Sequence, residues 1–476
     1  MSSQTTSAPA KVVRYYGGLW GAFFPFAFFV AGVVALALVG APDERGFWPV
    51  LVLALTLSLL LARDRSAFCE VVIEGMSRPI VMIMIMAWSL ASIIGVLLNE
   101  TGFVEALIWI AAQLHLSGWT FVGASFLICC MVSTATGTSF GTILICGPIL
   151  YPAGGLMGAD LATLAGAVLG GATFGDSISP ISDTSIASAL SQGADIGGTV
   201  RSRLKYVLPG AVLALPVYLL CARWSGGLAS GGAQLAGDPR GLPMVLAPLV
   251  VIGLLLTGRH LVHGLLAGMA VALLVGVGLG LLPLEKLLRL DLENFTARSV
   301  LIDGINRSVG ISFFTIFLLG LVAALEASGF LRRLVDFSAR RTPTPRAAEI
   351  WIAAVVGAVV SLTCHSIVAI LTVADFTRET GERFGIHPYR RANLLDVTVS
   401  SFPFMLPYFI PVVLTANTTA SGLDRGVPKV DPLQVGLHNF FSLMLVGVLV
   451  FAITTGYGRR FRADESSMIQ QRARPS

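Results

Sequence analysis

Residues 170–188 read GGATFGDSISPISDTSIAS, and an apolar run that begins at Leu161 leads straight into them. Within the eleven positions 175–185 stand Gly175, Asp176, Ser177, Ser179, Pro180, Ser182, Asp183, Thr184 and Ser185. A helix does not pass smoothly through this stretch. Glycine weakens it, and proline removes an amide donor and clashes with the preceding turn. If the segment lies at membrane depth, it is a broken helix whose freed carbonyls and hydroxyls point at something. Two carboxylates sit inside it. A charged side chain near the bilayer centre costs roughly 2.5–3.5 kcal/mol on insertion scales, so such a residue marks an ion or substrate path.

Composition supports the membrane setting. The chain of 476 residues is 55% hydrophobic and 12% charged, with a mean hydropathy of +0.81. A soluble protein carries about 25% charged residues. The 51 glycines suit close helix packing and broken helices. The net charge of +5 is small and no basic cluster is interleaved with aromatics, which argues against a nucleic-acid partner. Cys69, Cys129, Cys130, Cys146, Cys221 and Cys364 show no metal-ligand spacing and read as small apolar packing residues. The apolar run 19–39 is too long for a signal-peptide core and is read as a retained first span.

A spanning helix needs about 20 apolar residues. Candidate spans are 19–39, 47–61, 79–98, 119–133, 142–157, 161–174 with its broken continuation, and 206–224. After a Gly/Ser-rich stretch come 243–256, 261–282, 308–326, 349–361, 367–376, 392–415 and 435–455. The stretches 104–114 and 284–300 read as short or interfacial helices. The two series resemble each other. Ile73-Glu74-Gly75-Met76-Ser77-Arg78 matches Ile302-Asp303-Gly304-Ile305-Asn306-Arg307, and each is followed by an apolar run and then by Asn99-Glu100-Thr101-Gly102-Phe103 or Leu325-Glu326-Ala327-Ser328-Gly329-Phe330. Val132 to Thr138 falls opposite Val360 to Ser366, and Asp176 roughly opposite Asp396. The expected organisation is a cytoplasmic tail (1–17), a first transmembrane repeat (18–224), an external linker (225–242), a second repeat (243–456) and a second cytoplasmic tail (457–476). Internal repeats of this kind are a pattern of secondary transporters.

Charge assigns the sides. Cytoplasmic loops hold the excess of Lys and Arg. Residues 99–118 hold none, while their counterpart 331–346 holds five; 158–160 holds none, while 378–391 holds four. Equivalent loops of opposite bias lie on opposite sides, so the repeats are inverted and both termini are cytoplasmic. Residues 133–141, STATGTSFG, suit the tip of a re-entrant hairpin, as do the polar residues 361–366. The expected fold is thus an all-α polytopic membrane protein with two inverted-topology repeats, each holding a re-entrant hairpin and a broken transmembrane helix.

Among the residues that could carry chemistry, Asp176 leads as the binding carboxylate, with Ser177, Ser179 and backbone carbonyls completing an oxygen shell for a hard cation. Its structural alternative is a helix cap. Asp183 and Thr184 follow, with the same alternative, because Asp183-Thr184-Ser185 suits the start of a second half-helix. Thr136, Thr138 and Ser139 offer uncharged oxygens that could face the same place, or could bond back to local carbonyls. From the second half come His365, which titrates near neutral pH when unperturbed, Ser366 and Asp396. Asp375 reads as a surface residue, and Arg340, Arg341, Arg390 and Arg391 as topology signals.

The run 174–184, FGDSISPISDT, resembles the signature of the NhaC family of sodium/proton antiporters, and 135–142, ATGTSFGT, resembles that family's upstream motif. The resemblance implies an ion transporter with inverted repeats, each holding a re-entrant hairpin and an unwound helix. It also implies relatives that carry organic acids, amino acids or drugs. After the second carboxylate the family has a Pro-Trp-Asn element where this chain has Pro407-Tyr408-Phe409-Ile410. The expected function is secondary antiport of sodium against protons, the two competing for Asp176, which would hold the sodium ion. The alternative is a sodium- or proton-coupled carrier of a small organic acid or amino acid. A channel would need a continuous pore, and an enzyme would need a nucleophile–base set that the chain lacks. No cofactor is expected. The expected location is the cell inner (plasma) membrane, in contact with lipid, and a homodimer is compatible with it.

Overall fold

The computed structural model describes residues 12–39, 44–180, 182–225, 237–257, 259–291, 296–339 and 344–461. The outer parts of both expected tails, most of the expected linker, and Arg340 and Arg341 lie outside the described residues.

The chain is built of helices. Helix α1 (Gly18–Val39) leads through a 3-10 turn to α2 (Trp48–Leu61). The amphipathic α3 (Arg65–Met76) starts at Asp64, whose side chain accepts from the Ala67 N–H. There follow α4 (Pro79–Glu100), α5 (Phe103–Gln113), α6 (Gly118–Thr136), α7 (Ser139–Leu156), α8 (Leu161–Ile178), α9 (Asp183–Ser191) and α10 (Ile196–Trp224). Next stand α11 (Leu246–Leu256) and α12 (Leu261–Gly278). A hairpin of strands β1 (Arg289–Asp291) and β2 (Thr296–Arg298) precedes α13 (Val300–Ala327), and Arg289 pairs with Arg298. Then come α14 (Phe330–Ala339), α15 (Pro345–Thr363), α16 (Ser366–Thr372), α17 (Ala374–Arg383), α18 (Pro388–Val399), α19 (Ile410–Thr418), α20 (Pro432–Leu437) and α21 (Phe440–Thr455).

Among the described residues, nine helices are long and apolar enough to cross a membrane. A bent pair, 388–405 with 410–425 at 49°, makes up to ten. Packing separates the inner helices from the outer ones. The best apolar windows of α7 and α13 are 78% buried inside the protein, and those of α1 and α12 only 28%. Close backbone approach sets the centre. Gly171 and Gly175, one turn apart on α8, lie against α6 with no room for a side chain. A Cβ at Gly175 would collide with Ser133 Cβ and Thr134 N and stand 2.7 Å from Cys130 O. Small residues four apart permit this kind of contact between membrane helices.

The expected helix at 284–300 is not formed. A 3-10 turn at Leu284–Lys286 gives way to the β1–β2 hairpin, because Arg289-Leu290-Asp291 alternates with the period of a strand.

The resemblance between the two series takes a definite form. A step of 227 residues carries the first residue of α5, Phe103, to that of α14, Phe330. The same step of 227 carries α6 (Gly118–Thr136) onto α15 (Pro345–Thr363) and α9 (Asp183–Ser191) onto α19 (Ile410–Thr418). It carries α7, from Ser139, onto α16, from Ser366, and the start of α8 at Leu161 onto that of α18 at Pro388. Two alignments made from the sequence shift accordingly. Gly137, not Thr136, is the counterpart of Cys364, and both are left-handed, with φ of +69° and +54°. Asp396 falls opposite Leu169, and Asp176 falls opposite Pro403. Matching the carboxylates to each other overlooked that α18 stops at Val399, well before the point where α8 stops at Ile178.

Candidate functional site

The broken helices supply the site. Helix α8 ends at Ile178, the chain runs extended through Ser179 (ψ 128°), and α9 starts after Ser182 (ψ 136°). Asp176 therefore sits in the last turn of α8, and its carboxylate turns away from the helix axis. Ser139 Oγ, from the start of α7, donates to Asp176 Oδ2 at 2.8 Å, and Ser182 Oγ donates to Asp176 Oδ1 at 2.5 Å. Ser182 in turn lies 3.0 Å from Thr184 Oγ1. Each carboxylate oxygen thus has one hydroxyl, which leaves lone pairs free for another ligand.

Beside Asp176 is a cavity of about 60 Å³ lined, among others, by Thr138, Ser139, Asp183, Thr184, His365 and Ser366. A single water needs at least about 10–15 Å³ measured this way, so the space suits a few waters or a partly hydrated ion. Two helix breaks approach it. Gly137 and Cys364 turn the backbone left-handed, and Thr138 and His365 follow with nearly equal angles (φ −149° and −144°). Phe140 and the His365 imidazole stack at 6.5 Å across the two tips. His365 is buried, with no hydrogen-bond partner at Nδ1.

The other expected site residues divide. Asp183 is exposed at the cavity's edge and opens α9. Thr138 lines the cavity but also caps α7, accepting from the Gly141 N–H at 3.3 Å. Ser177 is buried outside the cavity lining but donates at 3.0 Å to Ser400 Oγ, and Ser400 lines the cavity. Ser179 and Thr136 are buried with unpartnered hydroxyls, also outside that lining. Tyr408 packs edge-on to Phe29 at 5.9 Å.

Asp396 is fully buried and meets Arg203, which stands just before the expected span 206–224. Arg203, on α10, is 0% exposed, and its Nη1 lies 3.0 Å from Asp396 Oδ2. Nη1 also donates to Ser177 O and to Ser185 Oγ, each at 2.7 Å, and Nη2 donates to Ser188 Oγ at 3.0 Å. Nε donates to Asn393 Oδ1 at 3.2 Å. The helix is set in this register by Asp195 at its start. Asp195 accepts from the Gly198 N–H and the Tyr389 hydroxyl, which hold its carboxyl below the ordinary carboxylate range.

Arg390 and Arg391, read as topology signals, are likewise buried rather than in a loop. Arg390 grips Glu349 through Nε at 2.8 Å and Nη2 at 2.9 Å, and Arg459 reaches the same carboxylate at 2.7 Å. Sequence reasoning missed Arg203, Ser182, Ser400 and Glu349. Ser182 stood in the quoted break and could have been found there. The rest carried no local signal, since a run such as Arg201-Ser202-Arg203-Leu204-Lys205 reads as a helix end facing water.

Comparison with known proteins adds two kinds of finding, a family and individual relatives. The model of a family described as "Na+/H+ antiporter family" matches residues 8–223 and 241–453. A malate-2H(+)/Na(+)-lactate antiporter of Bacillus subtilis is 30% identical over 176 residues, 37% of each chain. A Na(+)/H(+) antiporter NhaC of Alkalihalophilus pseudofirmus is 33% identical over 151 residues, 32% of each chain. The matches thus span only about a third of these two relatives' length. An arginine/ornithine antiporter ArcD of Halobacterium salinarum is 24% identical over 368 residues, 73% of each chain.

Proposed function

The chain belongs to the Na+/H+ antiporter family, and from that premise we propose that it is a secondary transporter exchanging sodium for protons at Asp176. One observation carries the reading. The Asp176 carboxylate is held by a single hydroxyl on each oxygen beside a cavity of about 60 Å³. Ionised, it binds sodium together with oxygens such as those of Ser139, Ser182, Thr138 and Thr184. Protonated, it is neutral and releases the ion. Competition of this kind for one carboxylate couples the two fluxes, provided the site opens to one side at a time. The broken helices and the tips at Gly137 and Cys364 are the elements we assign to that movement.

The wider architecture we propose is two inverted repeats, 18–224 and 243–456, in the plasma membrane with both termini in the cytoplasm. The constant step of 227 residues between matched helices supports the repeat. The charge bias of the matched loops supports the inversion, and it survives the burial of Arg390 and Arg391, because Arg378, Arg383, Arg332 and Arg333 are exposed on the second half's side alone. Lipid surrounds the outer helices, and a homodimer is left open to test.

A second reading is coupled transport of a small organic acid or amino acid. Its support is that relatives of this chain are named as malate–lactate and arginine–ornithine antiporters. The size of the cavity favours the bare cation.

The test uses vesicles that contain only the purified protein. Proton movement on imposing a sodium gradient, lost in a well-folded Asp176→Asn variant, is the expected result. If protons stay still until an organic acid or amino acid is added, the second reading replaces the first. Normal exchange by Asp176→Asn would reduce Asp176 to a helix cap.

A further inference from the structure

Three charged groups gather where the broken helices meet: the part-buried Asp176 and the fully buried Asp396 and Arg203. Arg203 Nη1 donates at 2.7 Å to the carbonyl of Ser177, the residue that follows Asp176, which ties the pair to it. The exposed Asp183 at the cavity's edge is a fourth, screened by its exposure. Burying an arginine costs several kcal/mol unless its charge is paired and its donors are satisfied. Here every nitrogen of the guanidinium is engaged, by Asn393, Ser177, Ser185, Ser188 and Asp396. These partners lie on α8, α9 and α18, so the group is clamped from three elements. The pair with Asp396 is off hydrogen-bond alignment, since neither Asp396 oxygen has an aligned donor. Charge, rather than a directed bond, holds the two together. Asp396 itself does not line the cavity.

We propose that Arg203 is a fixed counter-cation for Asp396. It takes the electrostatic place of a second transported cation and so limits the exchange to one sodium ion against one proton per cycle. The inference rests on the sodium/proton reading above. The charge balance is direct. Asp396 and Arg203 sum to zero, and Asp176 carries one negative charge, which either one sodium ion or one proton cancels. The loaded site is therefore neutral in both half-cycles, and turnover moves no net charge. Without Arg203, the buried Asp396 would be a second carboxylate able to take a proton, so two protons would exchange against one sodium ion and turnover would move one charge.

The experiment uses the purified full-length protein in vesicles, with the membrane potential set by a potassium gradient and valinomycin. A sodium gradient is balanced by an equal proton gradient in the same direction. One-for-one exchange then gives no net flux at any imposed potential, and this is the expected result for the natural protein. Flux that reverses sign with the potential overturns the proposal while leaving sodium/proton exchange intact. Complete absence of sodium-driven proton movement overturns the functional reading and this inference with it. In Arg203→Gln the freed Asp396 takes up and releases a proton in each cycle, so two protons exchange against one sodium ion and flux at the balanced gradients becomes voltage-dependent. Removing both charges, in Arg203→Gln with Asp396→Asn, restores voltage independence at whatever rate remains. An Arg203→Gln protein whose exchange is still voltage-independent sinks the idea. Should that variant fail to fold, Asp396→Asn decides. It leaves Arg203 unpaired beside Asp176 and raises the sodium concentration for half-maximal exchange about tenfold, the equivalent of roughly 1.4 kcal/mol. No change there is the contrary result. Arg203→Lys keeps the charge with fewer bonds and stays voltage-independent, which a purely structural role would not predict.

Discussion

At the scale of single residues, the site is a contrast between two carboxylates, the part-buried Asp176 and the fully buried Asp396. Asp176 accepts from the hydroxyls of Ser139 and Ser182, and Asp396 pairs with a guanidinium. A hydroxyl can donate to a carboxylate and, when a cation arrives, turn its lone pairs to the metal; an arginine offers no lone pair. The first arrangement is exchangeable and the second is not. Hydrogen bonds to charged groups contribute roughly 1.5–3 kcal/mol, so replacing Ser139 or Ser182 by alanine should weaken the site measurably. We expect Ser139→Ala and Ser182→Ala each to raise the sodium concentration for half-maximal exchange about tenfold, with little change in expression. A sodium titration of exchange at constant pH checks this, and an unchanged midpoint in both would remove the hydroxyls from the site. Asp176 was legible in the sequence because its surroundings are local: a glycine, a proline and hydroxyls within one short run. Arg203 was not, because its partners Asn393 and Asp396 are 190 and more residues away.

At the scale of elements, the site depends on how closely α6 and α8 approach. Gly171 and Gly175 let the α8 backbone press on α6, and Ser133 Oγ crosses to donate to Ala172 O at 2.5 Å. That contact fixes the last turn of α8, and with it Asp176. Inserting methyl groups into a packed interface costs typically about 1–3 kcal/mol, and here the obstacles include the backbone of Thr134 and Cys130 as well as a side chain. Gly175→Val should therefore lower the thermal unfolding midpoint in detergent and abolish exchange together. Gly253, which has open space around it, serves as the control: Gly253→Ala should leave the midpoint near that of the natural protein. If Gly175→Val melts like the natural protein, the close approach of α6 and α8 is not what holds the break in place. The break itself was readable from Pro180, which follows the end of α8, whereas Gly175 lies inside that helix. The second break was less so, because Cys364 takes a left-handed conformation that is usually glycine's, as Gly137 takes it in the first half. A cysteine carries no such signal.

At the scale of the whole molecule, ion pairs tie the two halves together. Arg78 meets Glu326 at 2.6 Å, and Arg425 bonds Glu105 and the Asn99 carbonyl, the latter at 2.8 Å. The inverted topology is tested at matched helices. Gln113 of α5 and Asp336 of α14 are both exposed. On a Cys69→Ser background, Gln113→Cys should react from outside with a membrane-impermeant thiol reagent, and Asp336→Cys only after the membrane is opened. Labelling of both from the same side would make the repeats parallel. The sequence by itself determined that the chain is a predominantly helical membrane protein, that a helix breaks near Pro180, and that Asp176 stands just before that break. Those are properties of hydropathy, spacing and backbone chemistry, which act over a few turns. The tertiary structure alone decided that Arg203, Arg390 and Arg391 are buried, that Asp396 is spent on a salt bridge, and that Ser139 and Ser182 hold Asp176. Whether a charge faces water or a partner depends on which helix packs beside it. That is set by contacts between distant parts of the chain.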